Sequence, residues 1–126
     1  IKSINIPEGV VSIGTEAFFN RSSLKSLNIP NSVTSIGADA FKSCISLESI
    51  NISNNINSIE KSLFYHCKSL KSIDIHDKVT IIKNNAFYEC FSLASINAPS
   101  SVNVFKDGVF ASCSSLKSDG ARLFVG

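Results

Sequence analysis

The sequence predicts a β-rich solenoid of stacked coils. Each coil carries two short extended segments, parallel to those of its neighbours, and one short helical or 3₁₀ turn. Three observations lead there. Five blocks of 23 residues follow one another without insertion, beginning at residues 1, 24, 47, 70 and 93, and a partial block covers 116–126. The same positions are apolar in every full block. Turn-forming residues fall at the same places in most blocks. A repeat of this period marks stacked coils, each touching chiefly its neighbours.

The apolar columns define the core. The first is Ile1, Leu24, Leu47, Leu70, Leu93 and Leu116. The fourth (Ile4, Leu27, Ile50, Ile73, Ile96) and sixth (Ile6, Ile29, Ile52, Ile75, Ala98) alternate with polar residues, a strand signal. Pro7, Pro30 and Pro99 then stop the strand, since proline has no amide to donate to a ladder. Val10, Val33, Ile56, Val79 and Val102 lead into a second extended piece through Ile13, Ile36, Ile59, Ile82 and Phe105, closed by Gly14 or Gly37 in the first two coils. Ala40, Phe41 and Cys44 sit at helical offsets, so one helical turn is expected to complete each coil. Phe18, Phe41, Phe64, Phe87 and Phe110 form an aromatic column there. No single coil can cover such residues. A stack buries them as ladders, each large side chain worth about 1.5–3 kcal/mol.

Composition narrows the function classes. With 44% hydrophobic and 17% charged residues the chain is a folded one. A net charge of +2, with scattered Lys and Arg, lacks the basic stripe of a nucleic-acid binder. No apolar run approaches the roughly 20 residues of a membrane span, so no direct insertion is expected of this segment. The chain opens Ile1-Lys2-Ser3, the first block carries no visible cap and the pattern fades after Ser118. It is expected to be one array, an excerpt of a longer one.

The stretch Phe64-Tyr65-His66-Cys67 places a histidine beside a cysteine, which raises a nucleophile or a metal site. The columns answer otherwise. Cys44, Cys67, Cys90 and Cys113 are 23 residues apart and form one column. Steps of about 4.8 Å spread four sulfurs over roughly 14 Å, too far for one zinc ion. Parallel side chains keep neighbouring Cβ atoms beyond the usual disulfide span, so buried free thiols are expected, with one or two disulfides as the alternative in an oxidising compartment. Arg21 holds this slot in the first coil, which points to an end-exposed turn. His66 shares a variable polar column with Asn20, Ser43, Glu89 and Ser112 and is expected to face solvent, away from Cys67. His76 stands in the proline slot and is expected to cap a strand end, with pH-dependent binding as the functional alternative. No catalytic residues, metal ligands or cofactor are assigned.

A partner is expected on the exposed face of the first strand. Its columns hold Ser3, Ser26, Ser49, Ser72 and Ser95, and beside them Asn5, Asn28, Asn51, Asp74 and Asn97. The functional reading is a surface for protein or glycan; the plainer one is that Ser and Asn keep the sheet soluble and satisfy turns. The candidate contact residues are Lys25, Asn28, Glu48, Asn51, Lys71, Asp74, His76 and Asp77. Among them Glu48, Lys71, Asp74, His76 and Asp77 form a mixed-charge cluster where the repeat varies. Phe19, Tyr65 and Tyr88, with Ile45 and Phe91 nearby, make a partial aromatic stripe that either covers the backs of adjacent coils or binds. The glycosylation tripeptides Asn20-Arg21-Ser22 and Asn51-Ile52-Ser53 are expected chance matches in a chain rich in Asn and Ser.

The pattern L-x-S-I-x-I-P-x-x-V-x-S-I-G-x-x-A-F-x-x-C-x-S resembles the BspA-like class of leucine-rich repeats, over the chain to about residue 118. The resemblance implies a leucine-rich-repeat solenoid with the same structural cysteine column. It also implies adhesion or host-protein contact at the surface of a microbe or parasitic protist. The leading expectation is therefore a non-catalytic protein-interaction module at the cell surface or secreted. An intracellular scaffold using the same face is the alternative. An enzyme would need a broken column that gathers catalytic groups, and none is found.

Overall fold

A 23-residue repeat can stack only if each residue meets its own equivalent one coil away, and that register is what the structure shows. The computed structural model describes residues 3–116; Ile1, Lys2 and the partial coil beyond Leu116 lie outside the described residues. Numbered in chain order, five three-residue strands are β1 (Ser3–Asn5), β3 (Ser26–Asn28), β5 (Ser49–Asn51), β7 (Ser72–Asp74) and β9 (Ser95–Asn97). Between them run five two-residue strands, β2 (Ser12–Ile13), β4 (Ser35–Ile36), β6 (Ser58–Ile59), β8 (Ile81–Ile82) and β10 (Val104–Phe105). All pairings are parallel and displaced by one coil, as in Ser3 beside Ser26 beside Ser49. The architecture is thus a parallel-strand solenoid.

The two ladders do not run unbroken. Long strands pair as β1-β3-β5 and β7-β9, short ones as β2-β4 and β10-β8-β6. Both interruptions flank the coil 47–69. That coil has Ser53 in place of proline and Glu60 in place of the glycines of the first two coils. Glu60 changes what the second strand carries. Ser58 Oγ donates to its Oε2 at 2.5 Å, and Lys83 Nζ from the next coil lies 3.0 Å from its Oε1. Burial pushes the Glu60 carboxyl up, but those two hydrogen bonds and the Lys83 charge outweigh it and hold the group below its ordinary value.

The segment expected to form a helical turn is not helical, and no helix occurs among the described residues. In an α-helix every amide bonds four residues back, and in a 3₁₀-helix every amide bonds three back. Here successive amides alternate between two destinations. In the first coil Ala17, Phe19 and Arg21 bond back three residues, to the carbonyls of Gly14, Glu16 and Phe18. Glu16, Phe18 and Asn20 bond instead to the carbonyls of Ala38, Ala40 and Lys42 in the next coil, at 2.8–3.1 Å. The same alternation recurs in the third and fourth coils. It requires left-handed backbone at two places per coil: Glu16 and Asn20, Asp39 and Ser43, Ser62 and His66, Asn85 and Glu89. A positive φ at the third residue of a four-residue turn, with none at the second, is the type II pattern. Asn, Asp and His tolerate that conformation best among residues with a Cβ.

Side chains in this arm are sealed by the stack. Ring centroids from Phe18 through Phe41, Phe64 and Phe87 to Phe110 are spaced 5.4, 5.6, 5.4 and 5.8 Å, with the ring planes nearly parallel. Phe41, Phe64 and Phe87 are fully buried, while Phe18 in the first coil is half-buried. Each cysteine donates its thiol hydrogen to the phenylalanine carbonyl of the preceding coil: Cys44 to Phe18, Cys67 to Phe41, Cys90 to Phe64 and Cys113 to Phe87, at 3.0–3.1 Å. All four are free and buried. Arg21, which holds the cysteine slot in the first coil, is exposed. Burial pushes the thiols up, to about 11 at Cys44 and Cys113 and further at Cys67 and Cys90, where neighbouring thiols of the column add to it.

Two outcomes follow for stability. Phe64→Ala removes a ring stacked on both sides and is expected to cost about 3–5 kcal/mol, whereas Phe18→Ala at the half-covered end costs less than about 2 kcal/mol; urea unfolding curves of the two variants check the difference. The thiols stay neutral in the fold above the pH at which they ionise when unfolded. The unfolded chain therefore releases protons first, and stability falls as pH rises from the ordinary value of 9.0 to about 11. Denaturation midpoints at stepped pH check this, and an alanine replacement of all four cysteines should flatten the decline.

Candidate functional site

Strand alternation decides what the first face displays. In β3, β5 and β7 the middle residue is buried and its two neighbours are exposed. The serine and asparagine columns therefore point outward over a wall of Leu27, Ile50 and Ile73. The outer residues of β1, β3 and β5 line an open trough of about 450 Å³. Beside it, where the strands end, a second recess of about 260 Å³ runs past Asn28, Asn31, Asn51, Asn54 and His76.

The side chains of the trough serines and asparagines satisfy nothing among the described residues. Ser3, Ser26, Ser49, Asn5, Asn28 and Asn51 have no side-chain hydrogen bond within the described residues, whereas serines elsewhere do structural work. Ser32 donates to the Val10 carbonyl, Ser69 to that of Ile45 and the fully buried Ser53 to that of Val33. The reading that the first-strand serines satisfy turns is thus corrected: turn satisfaction belongs to other serines.

The mixed-charge residues do not pair among the described residues: Asp74 ends β7, Lys25, Glu48 and Lys71 come just before a strand, and Asp77 lies in the turn after β7. Lys25, Glu48, Lys71, Asp74 and Asp77 are exposed. Among the described residues the lysine–carboxylate pair lies elsewhere, at Lys83–Glu60, and His66 sits beside Glu89 on the turn arm. His76 is half-buried and its Nε2 lies 3.0 Å from the Ile52 carbonyl, which accepts the bond from the strand-end position. Sequence reasoning missed the polar rim around it. Asn31 Oδ1 accepts from the Asn54 amide at 2.8 Å, Asn55 Nδ2 donates to the Asn31 carbonyl at 2.6 Å, and Lys78 Nζ donates to Asn55 Oδ1 at 2.8 Å. The signal was a run of polar residues in the loop columns, whose partners one coil away only register could supply.

The Tyr65-His66-Cys67 stretch splits as its columns imply. Cys67 Sγ turns inward to the Phe41 carbonyl. His66, on left-handed backbone, is one-third exposed and places Nδ1 3.2 Å from Glu89 Oε1, off the direction of a proper hydrogen bond, with its ring edge-on to Phe91. Imidazole and thiol serve different partners on different coils. Among the described residues no three His, Cys, Asp or Glu side chains gather as a metal site requires. The aromatic stripe does cover neighbouring coils: Tyr65 and Tyr88 stack at 4.9 Å and Lys42 Nζ lies 4.7 Å from the Tyr65 ring centre. Phe19 and Phe91 remain 44% and 39% exposed. Of the two tripeptides, Asn51-Ile52-Ser53 has its serine locked in the core, and Asn20-Arg21-Ser22 is exposed throughout. No helix among the described residues is long and apolar enough to cross a membrane.

Solved structures place this geometry. A leucine rich cell surface protein of Faecalibacterium prausnitzii superposes with a TM-score of 0.91 at 40% identity, covering 93% of this chain and 31% of that one. A leucine-rich repeat protein of Bacteroides ovatus gives 0.71 at 29% identity, over 86% of this chain and 34% of that one. One of Eubacterium ventriosum gives 0.79 at 23% identity, over 93% and 38%, a likeness of fold. The chain thus spans about a third of the length of each. No curated protein matches it. It is a leucine-rich-repeat protein that resembles cell-surface leucine-rich proteins. Residues 1–117 match the BspA type leucine rich repeat region in six copies, and the chain belongs to that family.

Proposed function

We propose that the chain is a non-catalytic interaction module of a cell-surface protein, one part of a longer array, and that it contacts host or matrix proteins through the exposed face of the first strands. The observation that carries this is a set of exposed charges, Glu48, Lys71, Asp74 and Asp77, left unpaired where the repeat departs from its own pattern. Unpaired charges on a rigid sheet are available to a complementary surface at little ordering cost. The cell-surface assignment draws support from the F. prausnitzii protein, whose description names that location. An intracellular scaffold built on the same face is the competing reading.

Location and binding are tested separately. Protease treatment of intact source cells is expected to release peptides of this chain; release only after lysis favours the scaffold. Binding of the chain to immobilised extracellular-matrix proteins is expected to weaken about tenfold when Glu48→Lys, Lys71→Glu and Asp74→Lys are combined. Because all three sites are exposed, the unfolding free energy should stay within about 0.5 kcal/mol of the parent. Binding that ignores the triple reversal refutes the assignment of the charged face.

A further inference from the structure

The charged cluster occupies the third and fourth coils, but the trough on β1, β3 and β5 has a different chemistry. Its outward groups are hydroxyls and carboxamides, and they are neutral. Register fixes them as two rows along the stack, Ser3, Ser26 and Ser49 in one and Asn5, Asn28 and Asn51 in the other. Neighbours within a row are about 4.8 Å apart, and the rows are separated by about 6.6 Å along the strand. Every one of these side chains is exposed and lacks a hydrogen-bond partner inside the described protein.

Such a grid suits few partners. Protein interfaces draw most of their energy from buried Tyr, Trp and Arg and are depleted in Ser. None of those three anchor types stands in the two rows, and both tyrosines, Tyr65 and Tyr88, lie on the turn arm instead. A carboxamide offers an acceptor and a two-hydrogen donor side by side, and a hydroxyl offers both functions in one atom. That combination matches vicinal hydroxyl pairs. The chemistry repeats along the stack at each coil, whereas along the strand only two outward positions exist. A ligand that uses the whole grid must therefore be a polymer with its own repeat close to the coil step, polyhydroxylated and uncharged. A linear neutral glycan has these properties, with each sugar near the length of one coil step.

We propose that the Ser-Asn rows of the trough bind a linear neutral glycan lengthwise, about one sugar unit per coil. The inference rests on the strand face being the binding face and names its ligand class on the first three coils. Each sugar contributes few neutral hydrogen bonds, so affinity accumulates with the number of coils engaged. Asn28 and Asn51 are the central contacts, and Asp74 marks where the neutral row ends.

The test is calorimetric titration of the 126-residue chain with β-1,4-linked oligosaccharides of glucose, N-acetylglucosamine and mannose, from disaccharide to hexasaccharide, and with a hexauronate as charged control. The expected result is binding by at least one neutral series, tightening with length and unchanged by added salt. Asn28→Ala with Asn51→Ala should weaken it at least about tenfold without altering the unfolding midpoint. Lys71→Ala with Asp74→Ala should leave it within about twofold, because neither side chain lines the trough. Three results overturn the proposal: no neutral series binds, the Asn28/Asn51 double variant binds as well as the parent, or only the hexauronate binds and salt abolishes it. If glycans fail while matrix proteins still bind through the charged cluster, this inference alone falls. If both fail, the strand face is not the binding face.

Discussion

Everything in this protein depends on one constraint: residue n must lie against residue n + 23. Three kinds of contact enforce it. Backbone amides of the strands and turns bond to carbonyls of an adjacent coil. Phenylalanine rings stack on their equivalents. Thiols reach back to the carbonyl of the preceding coil. None of these exists within one coil. A single coil has almost no stability of its own, and cohesion comes from the interfaces between coils.

The turn arm shows how backbone accounting selects residues. Buried amides must be paired, and an arm that is neither helix nor strand has to pair them in some other way. It sends them alternately inward, three residues back, and across to the next coil. The alternation needs left-handed backbone at two columns, which explains why those columns hold Glu16, Asp39, Ser62, Asn85 and Gly108, and Asn20, Ser43, His66, Glu89 and Ser112. His66 therefore stands beside Cys67 chiefly because its column calls for polar residues on strained backbone, and the pairing that looked chemical is geometric.

Repetition also separates structural from available chemistry. Side chains that the stack requires recur and are consumed, as the cysteines and Ser53 are. The first-strand serines and asparagines recur but their side chains are not consumed among the described residues, and the exposed charges Glu48, Lys71, Asp74 and Asp77 do not pair there either. The first strands thus carry outward serines and asparagines on the first three coils and an outward Asp74 on the fourth, on backbone held by parallel pairing.

The sequence by itself determined the coil length, the register, the parallel strands and the identity of the core, because a residue type repeated every 23 positions reports its environment five times over. It also identified the cysteine column as structural, since a ladder step is too long for one metal ion. It misread the turn arm. Ala40, Phe41 and Cys44 sit at helical offsets and all are buried, yet the periodicity came from alternating turns whose second hydrogen-bond partner lies one coil away. Only the tertiary structure decided that, and only it distinguished Ser26, whose hydroxyl bonds nothing among the described residues, from Ser53, which is sealed in the core: whether a hydroxyl is spent or free depends on which carbonyl the neighbouring coil brings within reach.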